Sequence, residues 1–316
     1  MNEFKKFYIY NCMKTTYINQ NLCFFLLLTA FCVALASTTN AQRLIERNQI
    51  LNPLENPSLN VKQGKTMWFS QVGGWGSFGN YAFSRDANHF WYQELGAYFE
   101  LYRSGNSTSV AITTQIEFIA DDDNDINFSP RAIFWEEGIL FTSRRDGFFL
   151  QAGYYHRCKH DIDNLNLGEE RATVFGSAMG RVIIPVSLSR PGDALFSLRL
   201  DYYTITWERR IPRDNFEFEP NIEDLSASLM TNIDWRIRLS DQNFVSFGGY
   251  AMTSLYDADL RSSGKISVNI GTDRGIGDVQ FGFHLEHLAD SGIPVRPKAA
   301  TLAGFGIRIN TSGSIR

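Results

Sequence analysis

Residues 229–239 read Leu229-Met230-Thr231-Asn232-Ile233-Asp234-Trp235-Arg236-Ile237-Arg238-Leu239. In an extended strand successive side chains point to opposite faces. The run therefore has one wall of Leu229, Thr231, Ile233, Trp235, Ile237 and Leu239. Its other wall is Met230, Asn232, Asp234, Arg236 and Arg238. A soluble sheet alternates too, hiding its greasy face and wetting the polar one. What singles out this chain is charge of both signs at mid-strand, in a rhythm that recurs from end to end.

Leu95, Ala97, Phe99 and Leu101 oppose Glu94, Tyr98, Glu100 and Tyr102, and Val110, Ile112, Thr114, Ile116 and Phe118 oppose Thr113, Gln115 and Glu117. Phe196, Leu198, Leu200 and Tyr202 oppose Ser197, Arg199 and Asp201, while Ile266, Val268 and Ile270 oppose Lys265, Ser267 and Asn269. Val279, Phe281, Phe283 and Leu285 oppose Asp278, Gln280, His284 and Glu286, and Ala303, Phe305, Ile307 and Ile309 oppose Gly304, Gly306, Arg308 and Asn310. Weaker runs lie near 66–75, 131–142, 147–158, 171–188 and 243–256. Turn-rich segments separate them: Ser104–Asn106, Asp121–Asp125, Arg190–Asp193, Ser262–Gly264 and Gly271–Gly277. The total is about twelve strands, many near the 9–11 residues that a tilted strand needs to cross a bilayer. The expected fold is all-β: a transmembrane antiparallel up-and-down β-barrel over residues 66–310.

The N-terminus is consistent with export. Lys14 follows Met13, itself a candidate start, an apolar core runs from Leu22 to Ala36, and small polar residues lead to Thr39-Asn40-Ala41. That order reads as a signal peptide over 1–41, cleaved after Ala41. The expected address is the outer membrane of a diderm bacterium. Cys12, Cys23 and Cys32 fall in the leader, which leaves Cys158 as the one mature cysteine and excludes an intramolecular disulfide. Residues 42–65, polar with Pro53 and Pro57, are expected as an irregular segment, a plug or a periplasmic tether. Residues 311–316 are expected as a C-terminal tail. A net charge of -4 and 44% hydrophobic residues favour neither disorder nor nucleic-acid binding. The expected partners are membrane lipids and the outer-membrane assembly machinery. Oligomeric state is not legible.

The polar walls place Glu94, Glu100, Glu117, Arg199, Asp201, Asp234, Arg236, Arg238, Glu286 and Arg308 toward the lumen. Near-balanced signs fit a network that fills a narrow barrel, or the lining of a small pore. The first functional reading is accordingly structural or transport-related, without a cofactor or a metal. Asp121–Asp125 lacks the Gly and the distant Glu of an EF-hand loop and reads as a solvated acidic loop. There is no P-loop, dinucleotide fingerprint or Gly-x-Ser-x-Gly.

One cluster carries candidate chemistry: Tyr154-Tyr155-His156-Arg157-Cys158-Lys159-His160-Asp161. His156 and Cys158 continue the apolar face of Phe148, Leu150, Ala152 and Tyr154, so both point toward the lipid near one rim. A base and a nucleophile at i and i+2 share a face. The segment resembles the His-x-Ser pair on the lipid-facing side of outer-membrane phospholipase A and the lipid A deacylases, with Cys158 in place of serine. That resemblance implies an alternative function, a lipid-face acyl hydrolase with Cys158 as nucleophile and His156 as base. The bland reading makes His156, Arg157, Lys159 and His160 an interfacial girdle meeting lipid phosphates, with Tyr154 and Tyr155 as belt aromatics. Metal ligation by His156, Cys158, His160 and Asp161 would need a contributor from elsewhere, such as His287. A soluble periplasmic β-sandwich is the second alternative overall.

Overall fold

A computed structural model describes residues 50–55, 65–84, 88–121, 130–161, 170–187, 192–211, 222–257, 259–293 and 299–314. The leader and residues 122–129 and 162–169 lie outside that set, and with them the expected cleavage site and most of the acidic loop.

Twelve strands follow in order: β1 (Thr66–Asn80), β2 (Trp91–Ser104), β3 (Thr108–Ala120), β4 (Pro130–Arg145), β5 (Phe148–Asp161) and β6 (Glu170–Ser187), then β7 (Gly192–Ile211), β8 (Leu225–Arg238), β9 (Asn243–Tyr256), β10 (Asp259–Asp273), β11 (Gly277–Leu288) and β12 (Ala300–Ser314). Each pairs antiparallel with its neighbours in sequence, and β12 closes on β1 from Gln71↔Ser314 to Asn80↔Phe305. Closure leaves no strand edge with unpaired backbone groups, a condition for spanning lipid with strands. Connections such as 146–147 and 274–276 are short at the rim where β1 starts and β12 ends. The opposite rim carries longer ones, such as 81–90 and 289–299.

The two faces of the wall settle what wets it. Leu200, Ile270 and Phe283 point outward and are 54%, 58% and 56% exposed, whereas Glu117, Arg199 and Asp201 point inward and are 0% exposed. A β-sandwich buries its apolar face, so the soluble alternative is overturned. The outer surface is one that hydrocarbon covers, and the interior is polar.

Three expectations are corrected. Ser262–Gly264 is not a turn but lies within β10, because a polar lumen accepts serines in mid-strand; the chain turns instead at Asp257, in the left-handed region at φ 43°. Thr311–Ser314 extend β12 rather than forming a tail, paired with Gly74–Gln71 of β1. Arg238, paired with the buried Phe244, sits exposed where β8 meets the short-turn rim. Tyr102 changes sides: a bulge between Glu100 and Tyr102 turns it outward against Trp68, at a ring separation of 5.0 Å, and sends Arg103 inward. A matching bulge in β1, with Phe69 at φ 51°, leaves Trp68 and Phe69 outside while Ser70 and Gln71 both face in. Alternation is blind to such bulges, each of which inserts one residue and shifts the phase.

The lumen is filled in layers. Beneath the long-loop rim, one apolar cluster gathers Ile222, Leu225, Tyr256 and Ala289 above Met230 and Tyr250, and another gathers Tyr81, Phe134, Leu288 and Ile293. Below them buried charges pair. Residues 50–55, including a 3-10 turn at Pro53–Glu55, pack inside the barrel toward the short-turn rim. There Leu51 meets Tyr98, Leu140 and Tyr155, and Leu54 meets Phe149 and Ile183.

Candidate functional site on the outer wall

Strand register puts three successive rungs on the lipid-facing side of β4–β7. Directly paired residues share a face. The first rung is Glu137–His156–Gly176–Ile205, the second Trp135–Cys158–Val174–Trp207, and the third, nearest the long-loop rim, Ile133–His160–Ala172–Arg209. Rungs are about 7 Å apart along a strand.

Glu137 was not foreseen, although the weak run at 131–142 contained the signal. Phe141, Ile139, Glu137, Trp135 and Ile133 share one face, and a carboxylate interrupts four apolar side chains. An ionisable group in that setting is costly and marks a functional position. Its oxygens are both engaged. His156 Nδ1 lies 3.4 Å from Glu137 Oε1, and Trp135 Nε1 donates to Oε2 at 3.2 Å. The side chains are 41% and 55% exposed, so the pair opens to the lipid side. At 3.4 Å the contact is longer than a well-formed hydrogen bond.

Next to His156 the wall is dented. A Cβ at Gly176 would stand 2.5 Å from Tyr154 Oη. The bare backbone lets Tyr154 lie across β6 and share a 3.0 Å hydrogen bond with Thr204 Oγ1 of β7. A bulge between Gly176 and Ser177 is what brings Thr204 outward.

Cys158, a free and half-buried thiol, continues the His156 face one rung up. Trp135 flanks it in the same rung, and Trp207 stands two strands away. Tryptophans gather at the lipid–water boundary, so this rung lies near headgroup level. One rung further out, His160 and Arg209 are exposed. Among the described residues His156 touches Glu137 rather than Cys158, and the two expected site residues share a face without a direct contact.

The other residues weighed for this site lie elsewhere. Asp161 turns inward, paired with Lys159 and accepting the Arg171 backbone N–H at 2.8 Å. Arg157 and Lys159 are buried in the lumen, not in an interfacial girdle. Tyr155 likewise points in. His287 bonds Thr301 at 2.9 Å on β11, six strands around the barrel from β5, and does not approach Cys158.

The lumen residues fall into separate clusters. Glu100 accepts from Ser70 and Ser109, each at 2.5 Å, and from Arg103 Nε at 2.9 Å. Arg199 grips Asp201 with two nitrogens at 2.6 and 2.8 Å, and Asp201 also takes the Ser177 hydroxyl at 2.7 Å. Tyr250 donates to Glu286 at 3.1 Å, beneath the apolar cap. Glu117 is wholly buried. Glu94, Asp234, Arg236 and Arg308 line a cavity of about 240 Å³ against β8–β12, β1 and β2, where Arg236 pairs with Asp278 at 3.1 Å. Sequence phase did not reach the partners that complete the network: Arg157 with Glu136, and Arg171 with Glu208 at 2.5 Å and Asp290 at 2.7 Å. Asp290 lies in the β11–β12 loop, where burial alone would raise its pKa. Arg171 outweighs that and holds the carboxyl below its ordinary value.

No protein-family model and no curated protein sequence matches this chain. Among solved structures, it is similar to an outer-membrane channel from Pseudomonas putida F1, at 12% identity over 84% of this chain and 100% of that one, with a TM-score of 0.44. The outer-membrane phospholipase dimer of Salmonella typhi with bound calcium shares 11% identity over 83% and 95%, with a TM-score of 0.47. LpxR from Salmonella typhimurium shares 6% over 76% and 99%, with a TM-score of 0.42. Likeness at that level concerns barrel architecture and transfers no residue role. The molecule is a twelve-stranded barrel of the outer-membrane type.

Proposed function

We propose that this barrel is an acyl hydrolase that works on its lipid-facing wall, with Cys158 as nucleophile, His156 as base and Glu137 as the group that orients the imidazole. The observation that carries the reading is the Glu137–His156 contact at 3.4 Å inside an apolar belt, with a thiol on the same face in the next rung. A carboxylate holding one ring nitrogen leaves the other free to take a proton, the arrangement that activates a weak nucleophile. The Trp135–Cys158–Val174–Trp207 rung supports the depth, because acyl esters lie at the level where tryptophans collect. With the short turns facing the periplasm, His160 and Arg209 stand at the outer-leaflet surface. There they meet lipid phosphates.

The chemistry balances without a co-reactant. His156 takes the Cys158 proton as Sγ attacks the ester carbonyl. The C–O bond breaks, the imidazolium returns its proton to the leaving alcohol, and a thioester remains. Water, deprotonated by His156, then cleaves the thioester and restores the thiol. Glu137 stabilises the imidazolium in both halves. A transport function finds less support, since Arg199, Asp201 and Glu117 are fully buried at mid-lumen and apolar clusters lie beneath the long-loop rim.

The test is release of fatty acid from diacyl glycerophospholipid in mixed detergent micelles by the refolded full-length protein. Cys158→Ala and His156→Ala should abolish release, and Glu137→Gln should lower kcat by about 100-fold. Release by the parent protein no faster than by Cys158→Ala, with both shown folded by heat-modifiable gel mobility, refutes the proposal.

A further inference from the structure

Two hydroxyl groups sit together on the lipid-facing wall beside His156, and only one of their two protons has a close acceptor. Tyr154, 39% exposed, and Thr204 both face outward, with Ile139, Ala178 and Ile205 next to them. Their oxygens are 3.0 Å apart, and Thr204 Oγ1 lies 3.4 Å from the Gly176 carbonyl oxygen. The first separation uses one hydroxyl proton. The second exceeds the roughly 2.5–3.0 Å of an O–H···O bond and leaves the other proton weakly held. An oxygen arriving from the lipid side would satisfy that donor.

The local backbone holds the pair in place. Gly176 pairs with Ile205 and Ser177 with Tyr203, so β7 carries one residue more than β6 here, and that residue is Thr204. Such bulges re-aim a side chain. Gly176, the direct partner of His156, leaves the Tyr154 ring a course over β6, and Oη stands 2.5 Å from where a Gly176 Cβ would be. Glu137 on β4, His156 on β5 and the phenol oxygen over β6 therefore form one polar row, with Cys158 one rung away on the diagonal.

An acyl hydrolase needs such a donor. As Sγ attacks an ester, the carbonyl oxygen takes up negative charge, and stabilising that charge is usually the largest contribution to catalysis. Cys158 and its neighbours are ladder-paired on both sides, which engages their backbone N–H groups, and the Trp135 indole already donates to Glu137 at 3.2 Å. The diagonal from Cys158 to Gly176 spans about 7–8 Å. That is within reach of the Cβ–Sγ, Sγ–C and C–O bonds followed by a hydrogen bond of about 2.7–3.1 Å. We infer that the Tyr154 hydroxyl, turned by Thr204, is the oxyanion donor of this site, an inference that rests on the hydrolase reading. Thr204 swings its proton from the Gly176 carbonyl to Tyr154 Oη, which leaves the phenol O–H to donate to the oxyanion. The proton stays on Oη throughout, and the bond weakens again when the leaving alcohol departs and the carbonyl reforms. Tyr154 touches the reacting oxygen, and Thr204 positions Tyr154.

Fatty-acid release in mixed micelles by the refolded full chain tests the assignment, each variant first shown folded by heat-modifiable gel mobility. Tyr154→Phe keeps the ring over Gly176 and removes the donor. It should lower kcat by about 100-fold and leave KM within about twofold. Thr204→Val should lower kcat by a smaller factor, and Thr204→Ser, which keeps the hydroxyl, should lose less than Thr204→Val. The second readout is inhibition by a long-chain alkyl trifluoromethyl ketone, whose adduct with Sγ carries the same oxyanion. Tyr154→Phe should weaken that inhibition by the factor by which it lowers kcat/KM, whereas loss of a mere brace in the wall would not couple the two. Parent-level kcat in Tyr154→Phe, or a fall in kcat with unchanged ketone inhibition, overturns the oxyanion role and leaves the hydrolase standing. Release by the parent no faster than by Cys158→Ala overturns the hydrolase, and this role with it.

Discussion

Replacing Asp201 by asparagine removes one charge and almost no volume from the centre of the lumen. Asp201 Oδ1 and Oδ2 hold Arg199 at 2.8 and 2.6 Å, Oδ1 takes the Ser177 hydroxyl at 2.7 Å, and Arg157 lies 3.7 Å away. None of the three ionic side chains is more than 1% exposed. Both guanidinium groups lie against the Tyr155 ring, each 5.0 Å from its centre. With Glu136 on Arg157, two cations face two anions and the quartet is neutral. Asparagine removes the carboxylate that holds the buried Arg199 with two charged hydrogen bonds, a loss of about 3–5 kcal/mol. Such a loss changes the folded-to-unfolded ratio by roughly two to three and a half powers of ten. The assay is urea unfolding of the barrel refolded into lipid vesicles, followed by tryptophan fluorescence and heat-modifiable gel mobility. Adding Arg199→Met to Asp201→Asn restores neutrality, so the double variant should recover more than half of the deficit. If Asp201→Asn stays within about 0.5 kcal/mol of the parent, the charges are hydrated, and the layered, filled lumen described above is wrong.

Three further outcomes follow from the two faces of the wall. Leu285→Arg, on the outward face of β11, should cost about 2–4 kcal/mol in vesicles and less in detergent, measured by the same unfolding transition. Gly176→Ala places a methyl 2.5 Å from Tyr154 Oη and should break its bond to Thr204, costing about 1 kcal/mol. Combining it with Tyr154→Phe should add little, and a fully additive double-mutant cycle would show that the tyrosine does not lie over the glycine. Cys158 should be alkylated faster by a lipid-soluble maleimide than by a charged one in vesicles, read by intact mass. The reverse order would place the thiol in the lumen.

Alternation in the β8 run, with Leu229 out and Asp234 in, was enough to read the strands, the barrel and the side on which lipid lies. Each neighbouring pair of residues carries that information locally, because a strand's period of two depends on no partner. The same phase put His156 and Cys158 on the outer wall. Single-residue slips were invisible. Arg103 and Tyr102 exchange faces at a bulge that no composition marks, and Ser262–Gly264 looked like a turn only because strand preference assumes a half-apolar surface. What the tertiary structure alone decided is adjacency across strands. Glu137 meets His156, and Arg171 meets Asp290 119 residues away. Residues 50–55 enter the barrel they precede. Register and closure set those meetings, and both depend on all twelve strands at once, which no stretch of sequence encodes by itself.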